Sequence, residues 1–242
     1  MKQLSLDDGR IITLREMKSD YIIPGGNGRC AINSRMVVGS DVVPTEDYRA
    51  LSEVLAEYYG TSVIYALDDE NQVVGLVSFF PTWCPHFDIC SNEQISEALA
   101  ELEVIKNPPP CDDPALHVRC LVIRREYRGH GLAVELLNYL KEWAKEHGWK
   151  KIVGNGGIYS GLAQYQWLIA PKPPVPIWEK AGFKVADFAP LELPAISDLE
   201  QTCGARDWYN SPGFPQHLPH DIDPHDPNWG EIFANYTMVC EL

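Results

Sequence analysis

Val118 to Ile123 is an apolar run of strand character, and Leu132 to His147 is a helical repeat entered through a glycine turn, Arg128-Gly129-His130-Gly131. This succession constrains the fold more than any other feature. A strand that feeds a helix through such a turn belongs to an α/β architecture. In the helix, Ala133, Leu136, Leu137, Leu140 and then Trp143 or Ala144 make one apolar stripe, and Gly148 supplies the stop. The turn also has a chemical consequence. Its glycines let several backbone N–H groups converge before the positive end of the helix dipole, which suits a phosphate or pyrophosphate. No Gly-Lys-Ser/Thr follows, so this is not a Walker loop. Arg128 precedes the glycines and a third Gly is missing, so it is a poor dinucleotide fingerprint.

The flanks narrow the reading. Leu121-Val122-Ile123-Arg124-Arg125-Glu126-Tyr127-Arg128-Gly129-His130-Gly131-Leu132-Ala133 resembles the acetyl-CoA-binding motif of the GNAT acetyltransferases. That motif is Arg/Gln-x-x-Gly-x-Gly/Ala after a hydrophobic strand, and Arg128, Gly131 and Ala133 fill its three positions. Further on, Ile177-Trp178-Glu179-Lys180-Ala181-Gly182-Phe183 resembles the family's Tyr-Glu-Lys-x-Gly-Phe, with Trp178 in place of Tyr. The resemblance covers about Ile11 to Val185 and a last strand near the C-terminus. It implies an α/β fold with a bent mixed central sheet and helices on both faces. It also implies a single domain over residues 1–242, with unassigned insertions at about 21–57 and 190–230.

By the same resemblance, acetyl-CoA is the co-substrate and the acceptor is a small-molecule or peptide amine. The backbone amides of Arg128, Gly129, His130, Gly131, Leu132 and Ala133 would hold the pyrophosphate. The edge of Leu121, Val122 and Ile123 would pair with the pantetheine arm as an added strand does, and an N–H there would polarise the thioester carbonyl. Family members often use the Tyr before Glu-Lys-x-Gly-Phe to protonate the departing thiolate. By that resemblance Trp178, in the place of the Tyr, is a catalytic-site candidate beside the CoA sulfur; its indole N–H donates a hydrogen bond but is not a usable acid. Tyr159 and Tyr165 are nearby in sequence. His117, at the start of the strand that feeds the loop, is the candidate base, where some members place a Glu. Glu126 and Glu135 read as solvated charges. The alternatives are an acetyl-CoA-binding protein without catalysis, a sensor or interaction protein supported by Trp178, and a metal-binding protein on this scaffold, supported only by the Cys and His clusters described below.

Composition sets outer bounds. With 242 residues, 45% hydrophobic and 22% charged, the chain has the composition of a soluble globular protein. A net charge of −14 disfavours nucleic acid and anionic lipid as partners, and weakly favours a cationic amine. No signal peptide or membrane span is visible, and 7 unpatterned Cys suit a reducing cytoplasm. A homodimer stays open. Cys84, His86, Cys90 and Cys111 lack a recognised zinc spacing, and His217, His220 and His225 with their aspartates read as a surface loop, so no metal is expected. Elsewhere the pattern predicts a strand at 10–15, a helix from Thr45 to Tyr58 stopped by Gly60, and a hairpin of 61–67 with 72–80. A helix from Asn92 follows, then a strand at 150–153, a Gly154–Gly157 turn, a helix end at 178–181, and strands at 183–188 and 233–242.

Overall fold

The computed structural model describes residues 1–16, 57–83, 107, 110–157, 173–190 and 234–242. They fall in two compact units, Met1–Val153 with Glu241–Leu242, and Gly154–Cys240.

In the first unit, β1 (Lys2–Ser5), β2 (Ile11–Glu16), β3 (Val63–Leu67), β4 (Val73–Pro81) and β5 (Ala115–Ile123) pair antiparallel in chain order. β6 (Lys151–Gly156) then joins β5 in parallel. Helix α1 (Leu132–Glu146) lies between those two strands in sequence, and a parallel pair needs such a crossover. The result is a mixed, open sheet. β1 has no counterpart in the sequence reading, because Leu4 is the one apolar residue in Lys-Gln-Leu-Ser. Its place comes from pairing with β2, Lys2 opposite Leu14 through Ser5 opposite Ile11. The β3–β4 hairpin turns as expected. Asp68 accepts N–H bonds from Glu70 at 3.1 Å and Gln72 at 2.7 Å. Asn71 takes the left-handed conformation there at φ 59.

β3 and β4 are buried along their whole length, so both faces of the central strands are covered. α1 covers one face with the predicted stripe, Leu136, Leu137, Leu140, Trp143 and Ala144, and Phe79 packs 5.0 Å from Trp143 between ring centroids. The opposite face gathers Val63, Tyr65, Leu76 and Val122. The helix predicted from Asn92 lies outside the described residues. So does the helix from Thr45, apart from a last turn at 57–59 that Gly60 ends at φ +89. Gly75 leaves room for its neighbours on β5, with the Leu136 side chain of α1 at ordinary contact distance beyond them. A Cβ there would stand 2.8 Å from Ile123 Cδ1 and 3.2 Å from the Val122 carbonyl. Gly75→Ala is expected to destabilise the fold by about 1–3 kcal/mol. An unchanged denaturant midpoint would show that the Ile123 side chain yields instead.

The second unit contains the end of β6, α2 (Val175–Lys180), β7 (Lys184–Pro190) and β8 (Ala234–Glu241), the last two antiparallel. The predicted Gly154–Gly157 turn is corrected here. Strand continues through Gly156, and Gly157 bridges Pro174. The glycines serve close packing. A Cβ on Gly154 would lie 2.2 Å from Trp178 Cη2, and one on Gly156 would lie 3.0 Å from both Met238 Cγ and Val175 Cγ2. Gly154→Ala is therefore expected to cost about 3 kcal/mol, read by thermal or denaturant unfolding. The Glu179-Lys180-Ala181-Gly182-Phe183 run is a helix stop. Phe183 N–H returns to the Trp178 carbonyl at 3.0 Å and Gly182 N–H to Glu179 at 2.9 Å, with Gly182 at φ +86. Among the described residues no helix is long and apolar enough to cross a membrane.

Candidate active site

The turn after β5 begins when the Arg124 N–H bonds to the Val74 carbonyl at 2.8 Å. A 3-10 turn, Arg125–Tyr127, follows. Gly129 at φ 86 and Gly131 at φ 80 then bring the chain into α1. Both values are in the left-handed region, where a Cβ is strained. Among the described residues no atom lies within 4 Å of where either Cβ would be, so they leave the outer side of the turn open. Gly131 is the N-cap of α1, without a side-chain cap, and its carbonyl takes the Val134 and Glu135 N–H groups at 2.9 and 3.2 Å. Among the described residues the N–H groups of Gly129, His130 and Gly131 meet no backbone acceptor. Those of Leu132 and Ala133 belong to the first helical turn, which has no intrahelical acceptor to offer. Unengaged donors at a positive helix end suit an anion. Arg128 braces this arrangement through its side chain: Nε donates to the Ile123 carbonyl at 3.0 Å.

The strand leading in is only partly paired. β5 and β6 are in register at Ala115, Leu116 and His117, opposite Lys151, Ile152 and Val153. Among the described residues no strand pairs that edge of β5 beyond His117. The bond from Arg124 to Val74 fixes the alternation: Val122 turns its backbone groups to β4, and Leu121 and Ile123 turn theirs to the open edge. The Ile123 carbonyl is where Arg128 finds it. The register shifts once, because Val118 faces Phe79 while Cys120 faces Ser78, leaving Arg119 as an extra residue. This bulge exchanges which residues face the edge.

His117 is half-buried, opposite Phe80. It is the last residue at which β5 is paired on both sides. Side chains alternate across a strand, so it shares a face with Phe80 and Leu76, away from α1. Trp178 lies in the second unit, 1% exposed, edge-on to Phe183 at 5.0 Å. Its one N–H donates to the Pro173 carbonyl at 3.2 Å. Tyr159, Tyr165, Cys84, His86, Cys90, His217, His220 and His225 lie outside the described residues; Cys111 is exposed.

Sequence reasoning missed a set of polar side chains that meet the loop from far along the chain. His130 Nδ1 contacts the Asp7 carboxylate, and Nε2 lies 3.4 Å from Asp8 Oδ2. Arg10 pairs with Asp8, donates to the Glu126 carbonyl at 2.9 Å, and lies 4.1 Å over the Tyr127 ring. Tyr127 in turn donates to Asp68 at 3.3 Å. Hydrogen bonding from Arg10 brings the Asp8 carboxyl down to about 2, so it is charged at any working pH. Burial, then the charge of Asp68, push the Tyr127 phenol up. Apart from Asp8 and Arg10, two positions apart, these partners are separated by 59 to 123 positions, and no local pattern marks them.

Residues 38–155 match the family model described as Acetyltransferase (GNAT) family. That stretch belongs to the GNAT family. It holds the whole glycine turn and the strand edge beside it. No curated protein matches the chain in sequence. Solved structures share its fold. One is a protein of Acinetobacter baylyi ADP1 classed as an acetyltransferase, at TM-score 0.52 and 12% identity, covering 96% of this chain and 94% of that one. Another is yncA of Salmonella typhimurium, likewise classed and solved with its cofactor acetyl-CoA, at 0.50 and 14%, with 96% and 94% covered. A third is the NatC complex bound to Gag peptide and CoA, at 0.50 and 11%, with 96% and 98% covered. At these identities the likeness is one of fold, and the fold is the GNAT mixed sheet with its helices.

Proposed function

We propose that the chain is an acetyl-CoA-dependent N-acetyltransferase that passes the acetyl group directly to an amine of a small molecule or peptide. The observation that carries this reading is the meeting, among the described residues, of the unpaired Leu121–Ile123 edge with the unengaged N–H groups of Gly129 to Ala133 at the start of α1. A pyrophosphate needs the second feature and an extended amide-bearing arm needs the first. Acetyl-CoA has both, and the same fold carries it in yncA.

In this reading the pyrophosphate lies against the N–H groups of residues 129–133, and Arg128 keeps the turn docked to the strand end. The arm adds to the β5 edge through the backbone groups of Leu121 and Ile123. The amine nitrogen attacks the thioester carbonyl carbon, a C–N bond forms and the C–S bond breaks. The amine proton goes to His117, directly or through a water, and the thiolate takes a proton from solvent. Holding the two reactants together supplies most of the rate, since a thioester is already activated. Trp178 contributes packing, because its one N–H is engaged by Pro173.

That engaged N–H also favours a second reading, in which the protein binds acetyl-CoA without transferring from it. The two are separated by thiol release from acetyl-CoA over a panel of primary amines and amino-terminal peptides, alongside calorimetric binding of CoA. Amine-dependent release is expected. Binding without release across the panel supports the second reading, and absence of binding removes both.

A further inference from the structure

We infer that the β1–β2 turn is a clasp that positions the phosphate loop, with His130, Asp7, Asp8 and Arg10 as its positioning residues. The inference rests on the proposed seat for the pyrophosphate and adds the means by which the loop is held open to receive it.

The problem the clasp solves is visible in the loop itself. Gly129 and Gly131 are both at positive φ, with nothing within 4 Å of either Cβ position. A turn with two such glycines and no packing against them has many conformations to choose from. Its N–H groups serve an anion only if they are fixed beforehand, because ordering on binding subtracts from affinity. His130 is the side chain between the two glycines, and both of its ring nitrogens face carboxylates, Asp7 at Nδ1 and Asp8 at Nε2. The loop is thereby pinned at its midpoint.

Arg10 ties the same turn to the other side of the loop. It pairs with Asp8, takes the Glu126 carbonyl at 2.9 Å and covers Tyr127 at 4.1 Å. Tyr127 reaches Asp68 in the β3–β4 turn at 3.3 Å. Asp8 is itself shaped for the task, since its Oδ1 accepts the Arg10 N–H at 3.1 Å and closes the turn locally. Two strand turns and the phosphate loop thus form one bonded set. Asp7, Asp8 and His130 also satisfy the ligand spacing of a cation site. The arrangement argues against that use: both ring nitrogens already face carboxylates, and Asp8 is shared with Arg10.

The test compares two thioesters that differ in the pyrophosphate. Affinity for acetyl-CoA and for acetyl-pantetheine, which lacks the nucleotide and its phosphates, is measured for wild type, Asp7→Asn, Asp8→Asn, His130→Gln and Arg10→Met. Each exposed ion pair is modest, so single carboxamide variants are expected to weaken acetyl-CoA about two- to fivefold. Arg10→Met loses three contacts and is expected to weaken it roughly tenfold. Acetyl-pantetheine binding should stay at wild-type level throughout, and His130→Arg should recover part of what His130→Gln loses. Equal losses for both ligands would reduce these residues to ordinary fold stability and overturn the inference. So would wild-type acetyl-CoA affinity in all four variants, or affinity that vanishes on chelation of divalent cations. Gly131→Asp separates the two levels of the argument: if it leaves acetyl-CoA binding intact, the pyrophosphate seat itself is wrong, whereas loss there with no effect in the four variants removes only the clasp.

Discussion

Gly131→Asp is expected to abolish acetyl-CoA binding while leaving the protein folded. The two effects differ greatly in size, which makes the substitution informative. Gly131 is the N-cap of α1 and has no side-chain cap at present. Asp is among the preferred N-cap residues, and a negative charge there complements the helix dipole. Its strain at φ 80 is modest, because Asp tolerates the left-handed region better than most residues, and no atom lies within 4 Å of the new Cβ. Stability should therefore change by about 1 kcal/mol or less in either direction. Binding is another matter. A carboxylate about 4 Å from a phosphate charge near a protein surface costs on the order of 4 kcal/mol, or roughly a thousandfold in affinity. Gly131→Asn has nearly the same shape without the charge and should lose far less. Calorimetric titration with CoA, beside a melting curve, reads both quantities. A folded Asp variant that binds as wild type does would place the pyrophosphate elsewhere.

What could be read in the sequence was what local chemistry dictates. The α1 stripe, the glycines of the phosphate loop and the Asp68 hairpin each depend on residues within a few positions of one another, and each lies where the pattern put it. The Gly154–Gly157 stretch shows the limit. Glycines in sequence read as a turn, and the reason for them is side chains far along the chain that need the space a Cβ would fill, the Trp178 indole at Gly154 and Val175 with Met238 at Gly156. β1 failed for a related reason, since its strand character comes from pairing with β2 and not from its own residues. The clasp was illegible for both reasons together. His130 entered the sequence reading for its backbone amide alone and Asp7-Asp8 not at all, and their contact is made across 123 positions. Arg128 was legible as a motif residue, but its bond to the Ile123 carbonyl depends on that group lying on the open edge.

His117→Ala is expected to lower turnover on the order of a hundredfold, the scale of losing a general base. The case for His117 is its position. It is the last residue of β5 paired on both sides, and beyond it the edge opens where the thioester arm would lie. A base at that boundary is placed to meet an amine arriving at the carbonyl end of the arm. Only neutral imidazole accepts a proton, so wild-type turnover should rise with pH through the range in which histidine titrates, and the Ala variant should lose that limb. An amine that must itself be neutral produces a similar rise. Two acceptors of well-separated pKa resolve the two causes: a limb set by the amine moves with the acceptor, and a limb set by His117 stays in place. Acetyl-CoA affinity should be unchanged in the variant, because His117 lies at the far end of the strand from the phosphate loop. Normal turnover with an unaltered profile would leave His117 as a strand residue packed beside Phe80. The amine would then lose its proton to an ordered water, or enter the site already neutral.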